Sequence, residues 1–182
     1  MPARSAAAKS YAKALFELAR EADRVEPVGQ ELERVRDLVA AQPDLRAFLS
    51  RPWVGAAAKR TVVEELAGRL EVSKLVRDFF AMLAARARVD QLDAITHAYR
   101  DFVDDHLGRA RARVRTLVPL TDDERRILAG RLSRALGGRT VLIEEVVDPG
   151  LLGGFVAEIG SLIVDGSLDG QLARMRQRLA RG

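Results

Sequence analysis

The chain has 182 residues, no cysteine and a formal net charge of +4, with 48% apolar and 31% charged side chains. That apolar content can fill a core, which excludes wholesale disorder; the missing cysteine excludes disulfides, thiolate metal sites and a cysteine nucleophile. The length allows one ordinary domain or two small ones, and no apolar run approaches the roughly 20 residues that cross a bilayer.

The charge is unevenly spread. Residues 1–105 carry 17 Lys and Arg against 17 Asp and Glu, whereas residues 106–182 carry 13 against 9. Two surfaces with different partners are the natural reading of such a split.

The first part reads as a succession of helices. Ser5 to Val25 lacks Gly and Pro, and Pro27 lies just past its end. Arg4, Lys9 and Lys13 open it, but Glu17, Glu21 and Asp23 follow on the same periodic segment, so it reads as mature structure and not as a transit peptide. A second helix spans about 28–41, with Leu32, Val35 and Leu38/Val39 on one face, and Pro43 ends it. A short third holds Leu45, Phe48 and Leu49 before Pro52. The fourth, about 56–70, buries Val62/Val63 and Leu66. Ser73 is the N-cap of a fifth reaching about Arg88, and a sixth places Leu92, Ile95, Tyr99 and Phe102 at helical spacing. Connections this short imply a compact bundle.

The pattern changes near Gly108. Arg109 to Thr116 alternates basic and small residues with period two, as a half-exposed strand does. Thr121 with Glu124 forms a capping box that opens a helix to Leu136. Gly137-Gly138 stops it, Thr140 to Val147 is strand-like, and Phe155 to Val164 contains further strand. A last helix carries Leu168, Leu172, Met175 and Leu179 on one stripe, with Arg174, Arg176, Arg178 and Arg181 mostly away from it. The fold class is mostly α: a six-helix N-terminal bundle (1–105) followed by a small α/β C-terminal domain (106–182).

No catalytic constellation emerges. His97 and His106 are nine residues apart, about 180° out of phase on one helix, and cannot share a metal. Gly150, Gly153 and Gly154 match neither phosphate-loop pattern, and no lysine follows to reach a phosphate. The acidic pairs Glu64-Glu65, Asp104-Asp105, Asp122-Asp123 and Glu144-Glu145 are sequence neighbours, which point apart. Trp53 follows Pro52 in a loop, where plugging the end of the bundle is the simplest role. The ladder Arg109/Arg111/Arg113/Arg115 could follow phosphates, but no aromatic is interleaved for base stacking. Neither a cofactor nor a metal is expected.

The first helix says most about partners. At about 100° per residue from Tyr11, its apolar residues occupy an arc of about 200°, roughly twice what facing one core requires. Ala14 lies at about 300°, Leu18 at about 340°, Ala22 at about 20° and Leu15 at about 40°, and Ala8, Ala19, Ala12 and Phe16 continue from about 60° to about 140°. The fifth helix is similarly rich, with Leu75, Val76, Phe79, Phe80, Met82 and Leu83. Two explanations stand: central burial within the bundle, or a groove between these helices that receives an amphipathic helix of another protein.

Tyr11-Ala12-Lys13-Ala14-Leu15-Phe16 near the start of the chain resembles the opening of the delta subunit of F-type ATP synthases, the family of the mitochondrial oligomycin sensitivity-conferring protein. The resemblance continues at Leu83 to Leu92, Val114 to Leu120, Val147-Asp148-Pro149-x-Leu151-x-Gly153-Gly154, Ile159-Gly160 and Asp165-Gly166-Ser167-Leu168. The ordered set, covering essentially the whole chain, is more specific than any one motif. It implies a non-catalytic stator subunit whose helical domain binds N-terminal helices of alpha subunits and whose C-terminal domain meets the b subunits of the peripheral stalk. The implied alpha groove comprises Tyr11, Ala14, Leu15, Leu18, Phe79 and Met82. The implied stalk surface is the basic C-terminal part, with Arg111, Arg113, Leu168, Leu172 and Arg176; the stripe of the last helix could equally be internal to its domain. One departure is Arg86, where the family often has Asn. The implied location is the cytoplasmic face of the bacterial inner membrane, with membrane contact only through the complex. The alternative reading is a basic nucleic-acid-binding or adaptor protein.

Overall fold

The computed structural model describes residues 2–160 and 162–181; for residues 2–5, 174 and 176–181 only the backbone is described. The chain divides into two compact units, Met1–Val103 and Asp104–Gly182.

The first unit contains α1 (Pro2–Glu21), α2 (Val25–Ala41), α3 (Pro43–Ser50), α4 (Ala56–Arg69), α5 (Lys74–Ala85), a 3₁₀ turn at Val89–Gln91, and α6 (Leu92–His106), whose last turn belongs to the second unit. Several helix ends differ from those the sequence suggests. α1, α4 and α5 each stop in a turn whose second residue takes left-handed backbone: Asp23, Glu71 and Ala87, with φ of 52°, 50° and 51°. In each, two backbone N–H groups reach back to orphan carbonyls, as Ala87 N to Ala84 O (3.0 Å) and Arg88 N to Leu83 O (2.9 Å) do after α5. Glycine usually fills this position, and its absence hides the stops from sequence reading. α5 therefore ends at Ala85 and not near Arg88. Pro27 does not precede α2 but sits in its first turn, where a missing N–H breaks no helical bond.

One core joins these helices. α1 contributes Ala8, Ala12, Leu15, Phe16 and Ala19, packed with Leu32 and Val35 of α2, Phe80 and Leu83 of α5, and Ile95 and Tyr99 of α6. Phe16 meets Tyr99 edge-on at 6.1 Å between ring centroids. The Tyr99 hydroxyl donates to Val25 O (2.9 Å), and burial, reinforced by the Glu31 charge, pushes its phenol well above the ordinary value. A polar tether fixes α5 to α2. Buried Glu31 accepts from Ser73 N (2.8 Å), from the Ser73 hydroxyl and from Arg24 Nη2 (3.1 Å), while Ser73 Oγ caps Val76 N at 3.5 Å. Trp53 does not plug the bundle. It is 78% exposed with the Arg51 guanidinium 5.9 Å over its ring, because the short turn after Pro52 directs it outward.

The second unit contains β1 (Arg109–Thr116), α7 (Asp122–Ala135), β2 (Thr140–Val147), β3 (Phe155–Ile159), β4 (Leu162–Asp165) and α8 (Leu168–Arg181). The sheet order is β2-β1-β3-β4; β1 pairs parallel with β2 across the α7 crossover, and β3 and β4 form an antiparallel hairpin. Period-two alternation on β1 turns Ala110, Ala112, Val114 and Thr116 inward and the four arginines outward. Ala112, Val114, Val141 and Ala157 pack with Leu128 and Leu132 of α7. The capping box opens α7 as its spacing suggests: Glu124 N donates to Thr121 Oγ1 (3.3 Å), and Thr121 N to Glu124 Oε2 (2.9 Å). Glu145 then ties α7 to β2, accepting from Arg125 Nη2 (2.7 Å) and Leu120 N (2.5 Å). Among the described residues the chain is thus mostly helical, with eight α-helices and one four-stranded sheet in the second unit.

Candidate functional site

Two uncovered surfaces stand out, one on each unit. On the first unit, the wide apolar arc of α1 divides. Its Leu15, Ala8, Ala19, Ala12 and Phe16 side enters the core, while Ala14, Ala22 and Leu18 remain exposed, Leu18 to 50%. Leu15, only 1% exposed, is thereby corrected from a groove liner to part of the core floor, since it lies on the packed side of the arc. Tyr11 straddles the division. Its ring stands edge-on to Phe79 at 6.5 Å, its hydroxyl accepts from Arg86 Nη1 (3.2 Å), and the Arg88 guanidinium lies 5.8 Å from its centroid. Phe79 is buried beneath, so the surface accessible to a partner is Tyr11, Ala14 and Leu18.

Met82 is half-buried and lines a separate cleft of about 830 Å³ between α4 and α5. Ala56, Ala57, Ala81 and Ala85 form its apolar lining, with Arg60, Glu64, Lys74, Arg77 and Asp78 around it. Sequence reading missed this cleft. Its signal is the set of small residues on facing sides of two helices, whose side chains are too short to fill the space between them.

On the second unit, the arginine ladder is largely spent internally. Arg111 Nε donates to Asp104 Oδ2 (2.5 Å), its Nη2 to Asp104 Oδ1 (3.3 Å) and its Nη1 to Glu144 Oε1 (3.1 Å). Burial disfavours the charged guanidinium, but these bonds outweigh it and hold its pKa above the ordinary arginine value. Arg115 Nη1 meets Asp148 at 3.3 Å and its Nη2 lies 3.6 Å from Glu158. Arg113 is exposed and has no carboxylate partner among the described residues. The side chain of Arg176 lies outside the described residues.

Three members of the α8 stripe face outward, and the side chain of the fourth, Leu179, lies outside the described residues. Leu168, Leu172 and Met175 are 47%, 48% and 60% exposed. The first turn of this helix is nevertheless firmly held. Leu168 N donates to Gly153 O (3.0 Å), Leu152 N to Asp169 Oδ2 (3.2 Å), and Gly170 N to the cap oxygen Ser167 Oγ (3.0 Å). The glycine pair serves this joint and not a phosphate: Gly154 has φ +78°, and a Cβ there would collide with Gly166 O. Next to it, Leu117, Val118, Ile127 and Phe155 line an apolar pocket of about 390 Å³. Among the described residues no cluster of His, Asp or Glu is placed to hold a metal, and no helix is long and apolar enough to cross a membrane.

Residues 7–179 match the model of the family described as "ATP synthase delta (OSCP) subunit". The chain is 44% identical over 172 residues to the ATP synthase subunit delta of Anaeromyxobacter sp. (strain Fw109-5), covering 94% of this chain and 96% of that one. To that of Syntrophobacter fumaroxidans it is 33% identical over 175 residues, covering 96% and 95%. Its fold is similar to a chain in the cryo-EM structure of the Toxoplasma gondii mitochondrial ATP synthase hexamer, with a TM-score of 0.70 at 19% identity over 95% of this chain and 97% of that one.

Proposed function

The chain belongs to the ATP synthase delta (OSCP) subunit family, and we propose that it joins the catalytic head of that machine to the peripheral stalk through one surface on each unit. Membership makes it a structural, non-catalytic subunit of the peripheral stalk of F-type ATP synthase, with other subunits of that complex as partners. In this reading the first unit acts as a single six-helix bundle. An N-terminal helix of an alpha subunit lies along Tyr11, Ala14 and Leu18, with Phe79 beneath Tyr11. The second unit takes the C-terminal part of the b subunits along α8. The subunit works on the cytoplasmic face of a bacterial inner membrane, which it touches only through the complex.

The observation that carries the reading is the divided arc of α1. Its core-facing side is complete without Leu18, which is left half-exposed on an apolar sector that a partner helix would cover. A rotary machine delivers work only if its head is kept from turning with the rotor. The holding element needs two strong grips and no reactive groups. The test is calorimetric titration of the full chain with an alpha N-terminal peptide and, separately, a b C-terminal peptide. Leu18→Asp should weaken the first by about 2 kcal/mol or more, since a carboxylate would be desolvated in an apolar interface. Leu172→Asp should weaken only the second. Wild-type alpha-peptide affinity in a folded Leu18→Asp protein would sink the groove assignment.

A further inference from the structure

We propose that Arg86 and Arg88 polarise the docking surface on α1 and α5, forming a cationic end that engages acidic side chains at one end of the docked helix. The inference rests on the docking reading above and adds the chemistry of the occupant. It begins with the turn that ends α5. With Ala87 held left-handed, the residues on either side of it are sent to the same ring: Arg86 Nη1 donates to the Tyr11 hydroxyl at 3.2 Å, and the Arg88 guanidinium lies 5.8 Å from the ring centroid. Both arginines are exposed, and among the described residues neither has a carboxylate partner. Arg20, Arg24, Arg60 and Arg69 of the same unit each sit on one.

Two like charges collected on one phenol repel each other, and among the described residues no carboxylate forms an ion pair with either. The uncovered sector starts at this pair and runs through Ala14 to Leu18, beyond which lie exposed Glu21 and Asp23. The sector is therefore positive at the Tyr11 end and negative at the other. The separation along α1 is about 10 Å or more, comparable to the screening length at physiological salt, so the two ends act separately on a ligand. An amphipathic helix with acidic residues at one end fits this field in one direction, and the reversed helix sets like charges together at both ends. The occupant is a helix of another protein; a second copy of this chain is an outcome that the test detects.

The probe is a set of three synthetic 18-residue amphipathic helices with one shared apolar face. One end carries two Glu, two Gln or two Lys, and binding to the full chain is measured by calorimetry. The expected affinity order is Glu, Gln, Lys, with about tenfold between the extremes at 50 mM salt, shrinking at 500 mM. Arg86→Glu/Arg88→Glu should invert the order, and Arg86→Gln/Arg88→Gln should abolish it; circular dichroism checks that both are folded. Leu18→Asp should weaken all three peptides alike. Equal, salt-independent binding of all three by the wild type, still lost in Leu18→Asp, would overturn the polarity while leaving the docking surface intact. Failure of every peptide to bind would remove the docking reading itself. A dimer in sedimentation that dissociates in Leu18→Asp would assign the surface to a second copy and overturn the proposal.

Discussion

Removing the Glu31 carboxylate should be among the costlier single changes in the first unit, although the residue is charged. Glu31 is 5% exposed and accepts three hydrogen bonds, two of them from Ser73, which caps α5. In Glu31→Ala the Ser73 N–H loses its partner in a half-buried site, at about 1–2 kcal/mol, and the lost hydroxyl bond adds about 1 kcal/mol. The Arg24 contact reaches solvent and contributes less than about 1 kcal/mol. The one deleted methylene adds about 1 kcal/mol, but relief of the buried charge returns part of the total. The expected net loss is about 2–3 kcal/mol, measured by urea unfolding of the full chain followed by far-UV circular dichroism. Ser73→Ala alone should cost about 1–2 kcal/mol as a lost cap. The double mutant should fall short of the sum by about 1 kcal/mol or more, since both changes remove the same bonds. A Glu31→Ala protein within about 0.5 kcal/mol of wild type, or strict additivity, would refute the tether.

Gly154→Ala should destabilise the second unit by about 2 kcal/mol or more, because it combines left-handed backbone with a collision against Gly166 O. Limited proteolysis should then cut first around residues 150–170, and cleavage at the wild-type rate would contradict the joint. Glu145 gives a pH signature. Arg125, with help from Leu120 N–H, holds its carboxyl below the ordinary value of 4.5, so its stabilisation is complete above that value and is lost as pH falls through the lowered native one. Glu145→Gln should therefore be less stable than wild type at pH 7, with the gap closing toward pH 3; a gap that is constant with pH would exclude the ion pair as its cause.

The sequence marks those features whose cause is local. Ser73 and the Thr121–Glu124 box are read from three-residue spacings and occur as read, and the alternation on β1 fixes which side its arginines take. What stays hidden depends on partners far along the chain. Arg111 meets Glu144, and Arg115 meets Asp148, only because β1 and β2 pair in parallel in one register, so the ladder looks free in one dimension and is mostly neutralised in three. Glu31 and Lys59 resemble solvated helix charges, yet both are buried. The wide arc of α1 is visible from spacing, but which of its sides meets the core is not. On that point alone Leu15 passes from the implied groove to the core while Leu18 stays on the surface.

A shared economy underlies the two surfaces. α1 keeps its place through the side of its arc that the core uses, so the exposed side can be covered or uncovered without unfolding anything. α8 is built differently. It has 14 residues, its first turn is pinned through Gly153 O, Asp169 and Ser167, and its apolar stripe meets no cover among the described residues. A helix of that length is marginal on its own in water, since nucleation is costly and each added bond contributes little. The pinned first turn supplies the nucleus, and a stalk helix laid against Leu168, Leu172 and Met175 would supply the burial. On the proposed reading, the grip on the head is therefore preformed, whereas the grip on the stalk gains helical order together with binding. Stalk association should then show the larger negative heat-capacity change per residue buried, because ordering and burial occur in the same step.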